Sequence, residues 1–579
     1  MALVICPQRQ SILDETGPVL VTGGPGSGKT TIALAKAKII IEDGMSSGQT
    51  ILFLSFSRAA VARVIEASKS QLPKKLQGGL SIQTFHSFYW EVLKSFGYLL
   101  GAPRQLRLLL PHDEIAMQHV FENQGADWTV ERERLFREEG LVAFDLFSAK
   151  VHELFSKSSR LCSLFSRRHP MIVIDEAQDT SDDQWQCLRL LARDTQLICL
   201  ADLDQQIYDF RPGVSSDRVT HIMDALQPLR IDLQGQNHRS AKSEILAFAN
   251  DILLATPRGA PYKGVSRTNF RANADQRDAM IRSAVGLAFK FAKAAAAPEP
   301  ITNLAFLASW GRGVHVISRA LTGNGKYKPI PHRVFIDEAP VLLASRMVAF
   351  LMEPRLEGVL ELRDLGEGLE LAANVFRARG GSTNLNQAER LASAAGQARI
   401  GTAPRVNGVA TKLLDVLRKL RVHTFSGDPQ RDWLVARHLL RDSGANPLGE
   451  IAKAAEQLVL LQRGQRIASG LADLWQSQRT YKGARTALNN ALAEELMMSG
   501  GNELRGLHVM TLHKSKGKEF DAVVIFDDSN SSPLLFSKEG PPYIRSRKLV
   551  RVGITRARHH VLMLVDLYNP SDLLQGHNL

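Results

Sequence analysis

Short apolar runs recur along the chain, separated by longer stretches of mixed polarity. Four of them are PVLV (18–21), MIVI (171–174), LICLA (197–201) and ITNLAFLAS (301–309). Continuous apolar runs of this length are typical of parallel strands that are buried on both faces. The segment TIALAK (31–36), which follows the first run, has the pattern of a helix. Strands that are followed by helices predict an α/β fold.

Two regions have a helical pattern without such runs. Residues 89–169 include the charged stretch DWTVERERLFREEG (127–140), and residues 356–505 are rich in Ala, Leu and Arg, as in VATKLLDVLRKLRV (409–422). Residues 331–354 have the pattern of further strands and helices. The small-residue stretch 292–300 and the turn-rich stretch 527–543 predict surface connections. We therefore expect helical insertions within an α/β frame.

The first apolar run leads into a glycine-rich loop, VTGGPGSGKTT (21–31), which contains the full pattern G-x-x-x-x-G-K-[ST]. Glycines let backbone N–H groups close around a β-phosphate, and the lysine bridges the β- and γ-phosphates. The threonine hydroxyl after the lysine holds Mg²⁺ in such loops. The sequence thus predicts a nucleoside triphosphate site lined by Gly23, Gly24, Gly26, Ser27, Gly28, Lys29, Thr30 and Thr31.

An acidic pair follows the second run, and a polar amide follows the third. Asp175 and Glu176 come directly after MIVI, where the carboxyl end of a parallel strand lies near the phosphate loop. We expect Asp175 to hold Mg²⁺ together with Thr30, and Glu176 to polarise the attacking water. LICLA leads into DLDQQIY (202–208), and a polar amide at the end of a strand can sense a γ-phosphate.

Composition narrows the choice of partner and compartment. The 579 residues carry a formal net charge of +13, which favours a polyanionic partner such as nucleic acid, although a solvated basic surface would have the same composition. The cysteines Cys6, Cys162, Cys187 and Cys199 form no CxxC pair, which favours a reducing cytoplasm over a metal cluster. Neither a signal peptide nor a membrane span is expected.

The motifs occur in an order that resembles the UvrD/Rep-like superfamily 1A DNA helicases. VIDEAQDTSDDQ (173–184) and LADLDQQIYDFRPG (200–213) resemble motifs II and III, and the glycine loop resembles motif I. The remaining matches are PQRQSIL (7–13, Q motif), ILFLSFSRAAVARV (51–64, Ia), IQTFHSF (82–88, Ib), LQGQNHRS (233–240, IV), VMTLHKSKGKEFDAVVI (509–525, V) and KLVRVGITRAR (548–558, VI). This order excludes a P-loop kinase, for which motifs II to VI have no purpose.

The resemblance implies two RecA-like domains with ATP and Mg²⁺ between them. It assigns Arg239 and Arg556 as arginine fingers and Gln205 as the γ-phosphate sensor. Gln8 would read the adenine, Glu519 would contact the nucleotide's sugar, and Arg211 would couple nucleotide to DNA. A guanidinium supplied across a cleft stabilises transition-state charge and makes hydrolysis depend on closure of that cleft.

Single-stranded DNA is held by aromatic faces that stack on bases and by groups that bind phosphates. The candidates by motif position are Phe56, Arg58, Thr84, His86, Tyr208, Phe210 and His513. Tyr208 and Phe210 are the strongest candidates for stacking on bases, because they follow the γ-phosphate sensor directly. For Phe56 and Phe85, packing in a core is an equally good explanation.

The chain departs from the family pattern at several positions. Phe210 replaces a tryptophan, His238 replaces a tyrosine that stacks on adenine, and Ala201 replaces a glycine. The stretch IRSRKLV (544–550) is basic where an acidic pair often precedes motif VI. None of these changes removes a group that hydrolysis needs, although the loss of the tyrosine bears on how tightly nucleotide binds.

The family layout implies six segments. The first RecA-like domain would comprise residues 1–88 and 170–228, with a helical insertion 1B at 89–169. The second would comprise residues 229–355 and 506–579, with a helical insertion 2B at 356–505. The short stretch after motif VI leaves no room in this sequence for a C-terminal nuclease domain.

Two functions follow from the resemblance. The first is an ATP-dependent 3′→5′ DNA translocase and helicase that acts on single-stranded and tailed duplex DNA in repair, replication or recombination. The second is a DNA-sensing ATPase subunit that switches a partner nuclease in an anti-phage defence system of the Gabija kind. The first predicts unwinding by the isolated chain, and the second predicts DNA-stimulated hydrolysis with poor unwinding.

Overall fold

A computed structural model describes residues 5–579, except 124, 126, 208–212, 234–236, 272, 324–326, 336–338, 356–359, 457–463, 498–504 and 537–538. The strands in chain order are β1 (Val19–Thr22), β2 (Ile51–Ser55), β3 (Leu80–Thr84), β4 (Arg107–Leu109), β5 (Leu141–Ala143), β6 (Met171–Ile174), β7 (Gln196–Ala201), β8 (Leu229–Asp232), β9 (Val265–Phe270), β10 (Asn303–Ala308), β11 (Arg333–Phe335), β12 (Gly506–Thr511), β13 (Phe520–Asp527) and β14 (Ala557–Asp566).

The helices in chain order are α1 (Pro7–Asp14), α2 (Lys29–Asp43), α3 (Arg58–Gln71), α4 (Phe85–Phe96), α5 (Pro111–Asn123), α6 (Trp128–Arg134), α7 (Leu146–Lys157), α8 (Ser159–Arg168), α9 (Asp182–Leu191), α10 (Arg218–Leu226), α11 (Ile245–Leu254), α12 (Ala274–Ala296), α13 (Gly311–Thr322), α14 (Ala339–Met352), α15 (Glu361–Arg379), α16 (Ser382–Arg399), α17 (Val409–Val422), α18 (Pro429–Arg441), α19 (Asn446–Glu456), α20 (Gly464–Gln478), α21 (Ala484–Met497), α22 (Leu512–Ser515) and α23 (Ile544–Ile554).

The first sheet has the strand order β3-β2-β6-β7-β1-β8, and each strand pairs in parallel with its neighbours. Strands β1, β2 and β6 are buried along their whole length because helices cover both faces. Strand β7 lies between β1 and β6, so the acidic pair after β6 is one strand away from the glycine loop after β1. Both still end at the same edge of the sheet.

The second sheet has the order β11-β12-β10-β13-β14-β9 and is also parallel throughout. Strand β13 is fully buried, and helices α11 and α23 pack on the side that contributes Ile245, Phe248 and Val552 to the core. Both sheets belong to one compact unit of residues 1–99, 147–336 and 498–579. The predicted α/β fold is therefore confirmed.

The second compact unit comprises residues 100–146 and 337–497 and is mostly helical. Helix α14 is its central element, since its apolar side chains from Val341 to Met352 are buried. Arg346 on α14 donates to both carboxylate oxygens of Asp113 on α5 and, at 2.8 Å, to Asn489 Oδ1 on α21. This side chain therefore ties three helices of the unit together.

The predicted elements and the observed ones differ at a few places. The runs at 171–174 and 409–422 coincide with β6 and α17. Helix α12 continues to Ala296, so the first half of the connection predicted at 292–300 is helical. The short parallel pair β4–β5 lies inside the predicted helical region 89–169 and is not predicted by it, because strands of three residues leave little pattern.

The compact units divide the chain differently from the predicted segments. Strand β8 pairs with β1, so the first sheet extends to Asp232, beyond the boundary predicted at residue 228. Helix α14 lies in the helical unit, although the family layout assigns residues up to 355 to the second RecA-like domain. Contacts between α14, α15 and α5 also place residues 100–146 in the same unit as most of the second insertion.

Candidate nucleotide-binding site

The glycine loop connects β1 to α2 with a backbone that requires glycine at two points. Gly26 and Gly28 have φ of 79° and 89°, in the left-handed region that L side chains rarely adopt. Lys29 begins α2, and its Nζ donates to the carbonyl oxygens of Gly23 (2.5 Å) and Gly24 (3.1 Å). Thr30 and Thr31 lie in the first turn of α2, half-buried. The loop therefore encloses the lysine ammonium.

The acidic pair is buried at the end of β6. Asp175 accepts a hydrogen bond from Ser55 Oγ at 3.3 Å, and burial together with the charge of Glu176 raises the pKa of Asp175 to about 6. Burial also raises the pKa of Glu176, but the cations Lys516 and Lys29 outweigh burial and lower it. Environments that separate the pKa values of two neighbouring carboxyl groups are typical of sites that give them different roles.

Gln205 joins the two sheets within this unit. It is buried after β7, and its Nε2 donates to Asp202 Oδ2 at 2.7 Å. Its Oε1 accepts a hydrogen bond at 2.9 Å from Nη2 of Arg556, which follows α23 beside the second sheet. Burial, together with the charges of Arg239 and Arg63, lowers the pKa of Arg556 to about 9. The predicted sensor and one predicted arginine finger are thus in direct contact.

Glu519 collects guanidinium groups from both sheets. Its Oε1 accepts from Arg239 Nη2 and Arg63 Nη1, each at 2.6 Å, and its Oε2 accepts from Arg558 Nη2 at 3.3 Å. Burial alone would raise the pKa of Glu519, but Arg239 and Arg63 hold it well below the usual range. The structure therefore brings the predicted sugar-contacting residue and the second predicted arginine finger together.

The segment after the first sheet lies directly on the glycine loop. The backbone N–H of His238 donates to the carbonyl of Gly26 at 2.8 Å, and a Cβ on Gly26 would stand 2.8 Å from Arg239 Cβ. Arg9 on α1 is buried, and its Nη2 lies 3.2 Å from His238 Nε2. The neighbouring Gln8, predicted to read the adenine, is exposed on α1.

The residues predicted to bind DNA are distributed over both sheets. Thr84 is buried as the N-cap of α4, where its hydroxyl accepts from Ser87 N at 3.1 Å. Phe56 is half-buried with its ring centroid 4.8 Å from that of the fully buried Phe85, which shows that it packs on the core. Arg58 begins α3, His86 lies on α4 and His513 lies on α22, all half-buried. Tyr208, Phe210 and Arg211 lie outside the described residues.

Sequence reasoning does not assign a role to three residues of this site. Arg63 pairs with Glu519, Asp202 orients Gln205, and Lys516 Nζ donates to Asp179 Oδ2 and to the carbonyl oxygen of Gln205, both at 2.5 Å. All three lie inside the motif stretches, so the sequence indicates their positions. It does not indicate the partners of Arg63 and Lys516, because those partners lie far from them along the chain.

The arrangement fits a nucleoside triphosphate with a divalent cation. The Oγ of Ser27 is buried in the glycine loop and has no hydrogen-bond partner within the described structure, as expected of a group that a ligand would satisfy. Gly26 leaves no room for a side chain, and the positive charge of Lys29 acts on Asp175, Glu176 and Asp202. The fold and the site together define a P-loop protein built from two parallel α/β sheets.

Comparison with known proteins agrees with this class. A model of an AAA domain matches residues 8–211, and a model of the UvrD-like helicase C-terminal domain matches residues 506–564. DNA helicase II of Haemophilus influenzae is 27% identical over 42% of this chain and 40% of its own length. The ATP-dependent DNA helicase PcrA of Staphylococcus aureus is 23% identical over 45% of this chain and 41% of its own. A putative ATP-dependent DNA helicase, YjcD of Bacillus subtilis, is 27% identical over 35% of this chain and 32% of its own.

Residues 8–211 and 506–564 are thus similar to domains of the UvrD/Rep-like superfamily 1 helicases, and the two parallel sheets fit the RecA-like domains of that family. The chain's matches span less than half the length of these relatives. The solved structure of the Pif1 helicase from Candida albicans aligns with 55% of the chain at 15% identity and a TM-score of 0.27, too low to carry an argument. Within the described part of the chain, no helix has the length and apolar character that crossing a membrane requires.

Proposed function

We propose that the protein is an ATP-dependent DNA translocase and helicase that moves 3′→5′ on single-stranded DNA. The observation that carries the proposal is the hydrogen bond from Arg556, beside the second sheet, to Gln205 on the first. A contact of this kind makes the state of one nucleotide site depend on the relative position of two domains. A motor requires such a dependence, whereas a protein that only binds phosphate does not require it.

The residues present would divide the work of hydrolysis among them. The backbone N–H groups of the glycine loop and Lys29 would hold the phosphates, while Thr30 and Asp175 would hold Mg²⁺. Bound Mg²⁺–ATP supplies the chemistry of phosphoryl transfer to water. Glu176, kept ionised by Lys29 and Lys516, would orient the water and accept its proton. Arg239 and Arg556 would neutralise negative charge that develops in the transition state.

Movement would follow from opening and closing of the cleft. Gln205 lies three residues before Tyr208 and five before Phe210, so a shift at the γ-phosphate sensor would reach both predicted base contacts. His513 lies on α22, shortly before the buried Lys516, which donates to the carbonyl of Gln205 at 2.5 Å. Each turnover would therefore change the grip of both domains on the strand.

The motor is favoured over the DNA-sensing subunit. The relatives with matching regions are named DNA helicases, and the groups that link the two sheets are all present. The polarity and a role in repair, replication or recombination rest on the family resemblance. We propose single-stranded and tailed duplex DNA as its substrates. We propose the cytoplasm as its compartment.

The test is hydrolysis and unwinding by the purified chain. ATP hydrolysis would be measured with and without single-stranded DNA, and strand separation would be followed on duplexes with a 3′ or a 5′ tail. We expect DNA to stimulate hydrolysis and only the 3′-tailed duplex to open. Lys29→Ala should abolish both activities, whereas Lys38→Ala, an exposed lysine on the same helix, should retain them.

Each alternative result has a distinct meaning. Stimulated hydrolysis without opening of either duplex would contradict the motor and support the sensor of a partner protein. Opening of the 5′-tailed duplex alone would overturn the polarity. Hydrolysis that DNA does not change would contradict the DNA-binding assignments themselves.

A further inference from the structure

A large aromatic side chain is exposed at the carboxyl edge of the second sheet. Trp310 follows β10 and is the N-cap residue of α13, yet 46% of it is exposed. It borders a groove of about 480 Å³ whose lining comprises Trp310, Gly311, Arg312, Asn530, Ser531, Pro533 and Leu535. Tryptophan side chains are normally buried to a much greater extent. An exposed indole beside a groove therefore indicates a binding site for another molecule.

Trp310 is one end of a row of rings. The ring centroid of Phe536 lies 5.7 Å from that of Trp310 and 6.5 Å from that of His513. The Arg545 guanidinium lies 4.9 Å from the Phe536 ring centroid. Phe536 therefore supports Trp310 from one side and places it next to a residue already predicted to contact DNA.

The parallel sheet explains why these side chains meet. Strands β10 and β12 are neighbours, with Ala308 opposite Thr511, and Trp310 and His513 each follow two residues later. Because parallel strands end at the same edge, both residues lie near the Phe536 ring although 203 positions separate them in sequence (513 − 310). The exposed Arg312 and Arg545 add positive charge to this edge.

We propose that Trp310 stacks on a base of single-stranded nucleic acid, adjacent to the contact made by His513. The occupant is a nucleic acid strand because an exposed indole flanked by the exposed Arg312 and Arg545 matches a base flanked by phosphates. A net charge of +13 favours the same polyanion. The inference rests on the proposed function and adds a base contact on the second domain that none of the motif positions supplied.

The tryptophans of the chain make the contact directly measurable. Of the six, Trp310 is exposed, Trp475 is half-buried, and Trp90, Trp128, Trp185 and Trp433 are buried. Titration with an oligo(dT) strand should quench the intrinsic fluorescence of the wild-type chain, since stacking on a base quenches indole emission. The quenching should disappear in Trp310→Phe, and an abasic strand of equal length should leave wild-type emission unquenched.

Affinity gives a second, independent measurement. Trp310→Ala should weaken oligo(dT) binding roughly tenfold, and Trp310→Phe should weaken it less, because stacking is worth about 1–3 kcal/mol per base. The matched control is Tyr327→Ala. Tyr327 is 47% exposed, but it lies between α13 and β11, where the chain enters the amino end of a strand of the same sheet. Tyr327→Ala should therefore not alter the affinity for oligo(dT). An unchanged thermal unfolding midpoint establishes that each variant is folded.

The outcomes separate this inference from the proposed function. If the wild-type chain does not bind oligo(dT), the proposed function fails and the contact fails with it. If the wild type binds and hydrolyses ATP in response, but Trp310→Ala binds equally well and quenching persists in Trp310→Phe, only the Trp310 contact is wrong. Equal quenching by the abasic strand would also contradict the Trp310 contact, because the groove would then bind the sugar-phosphate backbone of the strand and not a base.

Discussion

A histidine on β12, next to the edge strand β11 of the second sheet, is a fully buried titratable group outside the nucleotide site. His508 on β12 is fully buried, with the rings of Phe335 and Phe520 each 5.8 Å away. Burial, with a contribution from the charge of Arg333, lowers the pKa of His508 to about 4. The folded protein therefore holds this imidazole neutral at a pH where the unfolded chain protonates it.

The sign of the pH dependence follows from that shift. The stabilisation is complete above the unfolded pKa of about 6.5 and is lost as pH falls towards 4, because only the unfolded chain then gains the proton. One pKa unit corresponds to about 1.4 kcal/mol, so the loss at pH 5 should be about 2 kcal/mol. We expect His508→Leu to improve stability relative to wild type at pH 5 more than at pH 7.5. Urea unfolding at both pH values checks this, and an equal difference at the two would contradict it.

At the scale of elements, the turn from β1 into α2 is built around a close backbone approach. Gly26 has a φ of 79°, and a Cβ added there would lie 2.8 Å from Arg239 Cβ and 2.9 Å from Asn237 Oδ1. A side chain would therefore strain the turn and push the segment after the first sheet away from the loop. The glycine is thus needed for an approach between two elements as well as for the phosphate cradle.

Gly26→Ala should therefore weaken nucleotide binding and lower the thermal unfolding midpoint. Left-handed backbone at a non-glycine residue and an overpacked contact each cost about 1–3 kcal/mol, so binding should weaken at least tenfold. Titration with a fluorescent ATP analogue and a thermal melt measure the two effects. Gly44→Ala is the control for backbone strain, since its φ of 100° is also positive but nothing lies within 4 Å of the added Cβ. Equal effects of the two changes would contradict the role of the contact.

At the scale of the whole unit, the ion pair between Lys516 and Asp179 is a buried link between the two RecA-like domains. Lys516, after α22, is 5% exposed, and its Nζ lies 2.5 Å from Oδ2 of Asp179, which is 2% exposed and lies in the first domain. Removal of one partner from a buried pair leaves an uncompensated charge and typically costs about 3–5 kcal/mol. The pair should therefore stabilise the arrangement of the two domains seen here.

Lys516→Met and Asp179→Asn test this as a double-mutant cycle. Each single change should destabilise the protein by about 3 kcal/mol, and the double change should cost less than the sum, because neither charge is then left alone. Urea unfolding monitors stability, and ATP hydrolysis monitors closure. Additive effects of the two changes would show that the ion pair does not couple the domains.

Much of the fold and several site residues could be predicted from the sequence. The apolar runs before the glycine loop and before Asp175 are long and uniform enough to identify β1 and β6. The short β4 and β5, and the place of α14 in the helical unit, could not be predicted. Strands of three residues carry almost no periodicity, and a helix that is apolar except for Ser345 and Arg346 fits either a domain core or an insertion.

By itself, the sequence determined the chemistry that the protein carries. The glycine loop and the acidic pair follow from residue types at short spacings, because a phosphate cradle and a strand end are local structures. The roles predicted for Gln205, Arg239 and Arg556 came from the family resemblance of their motifs. Only the tertiary structure decided which of these groups meet. Arg63 and Arg239 converge on Glu519, and Arg556 reaches Gln205. Trp310 and His513 both lie near the Phe536 ring. Such pairs depend on the strand order of two parallel sheets, and strand order is set by packing between segments that the chain keeps far apart.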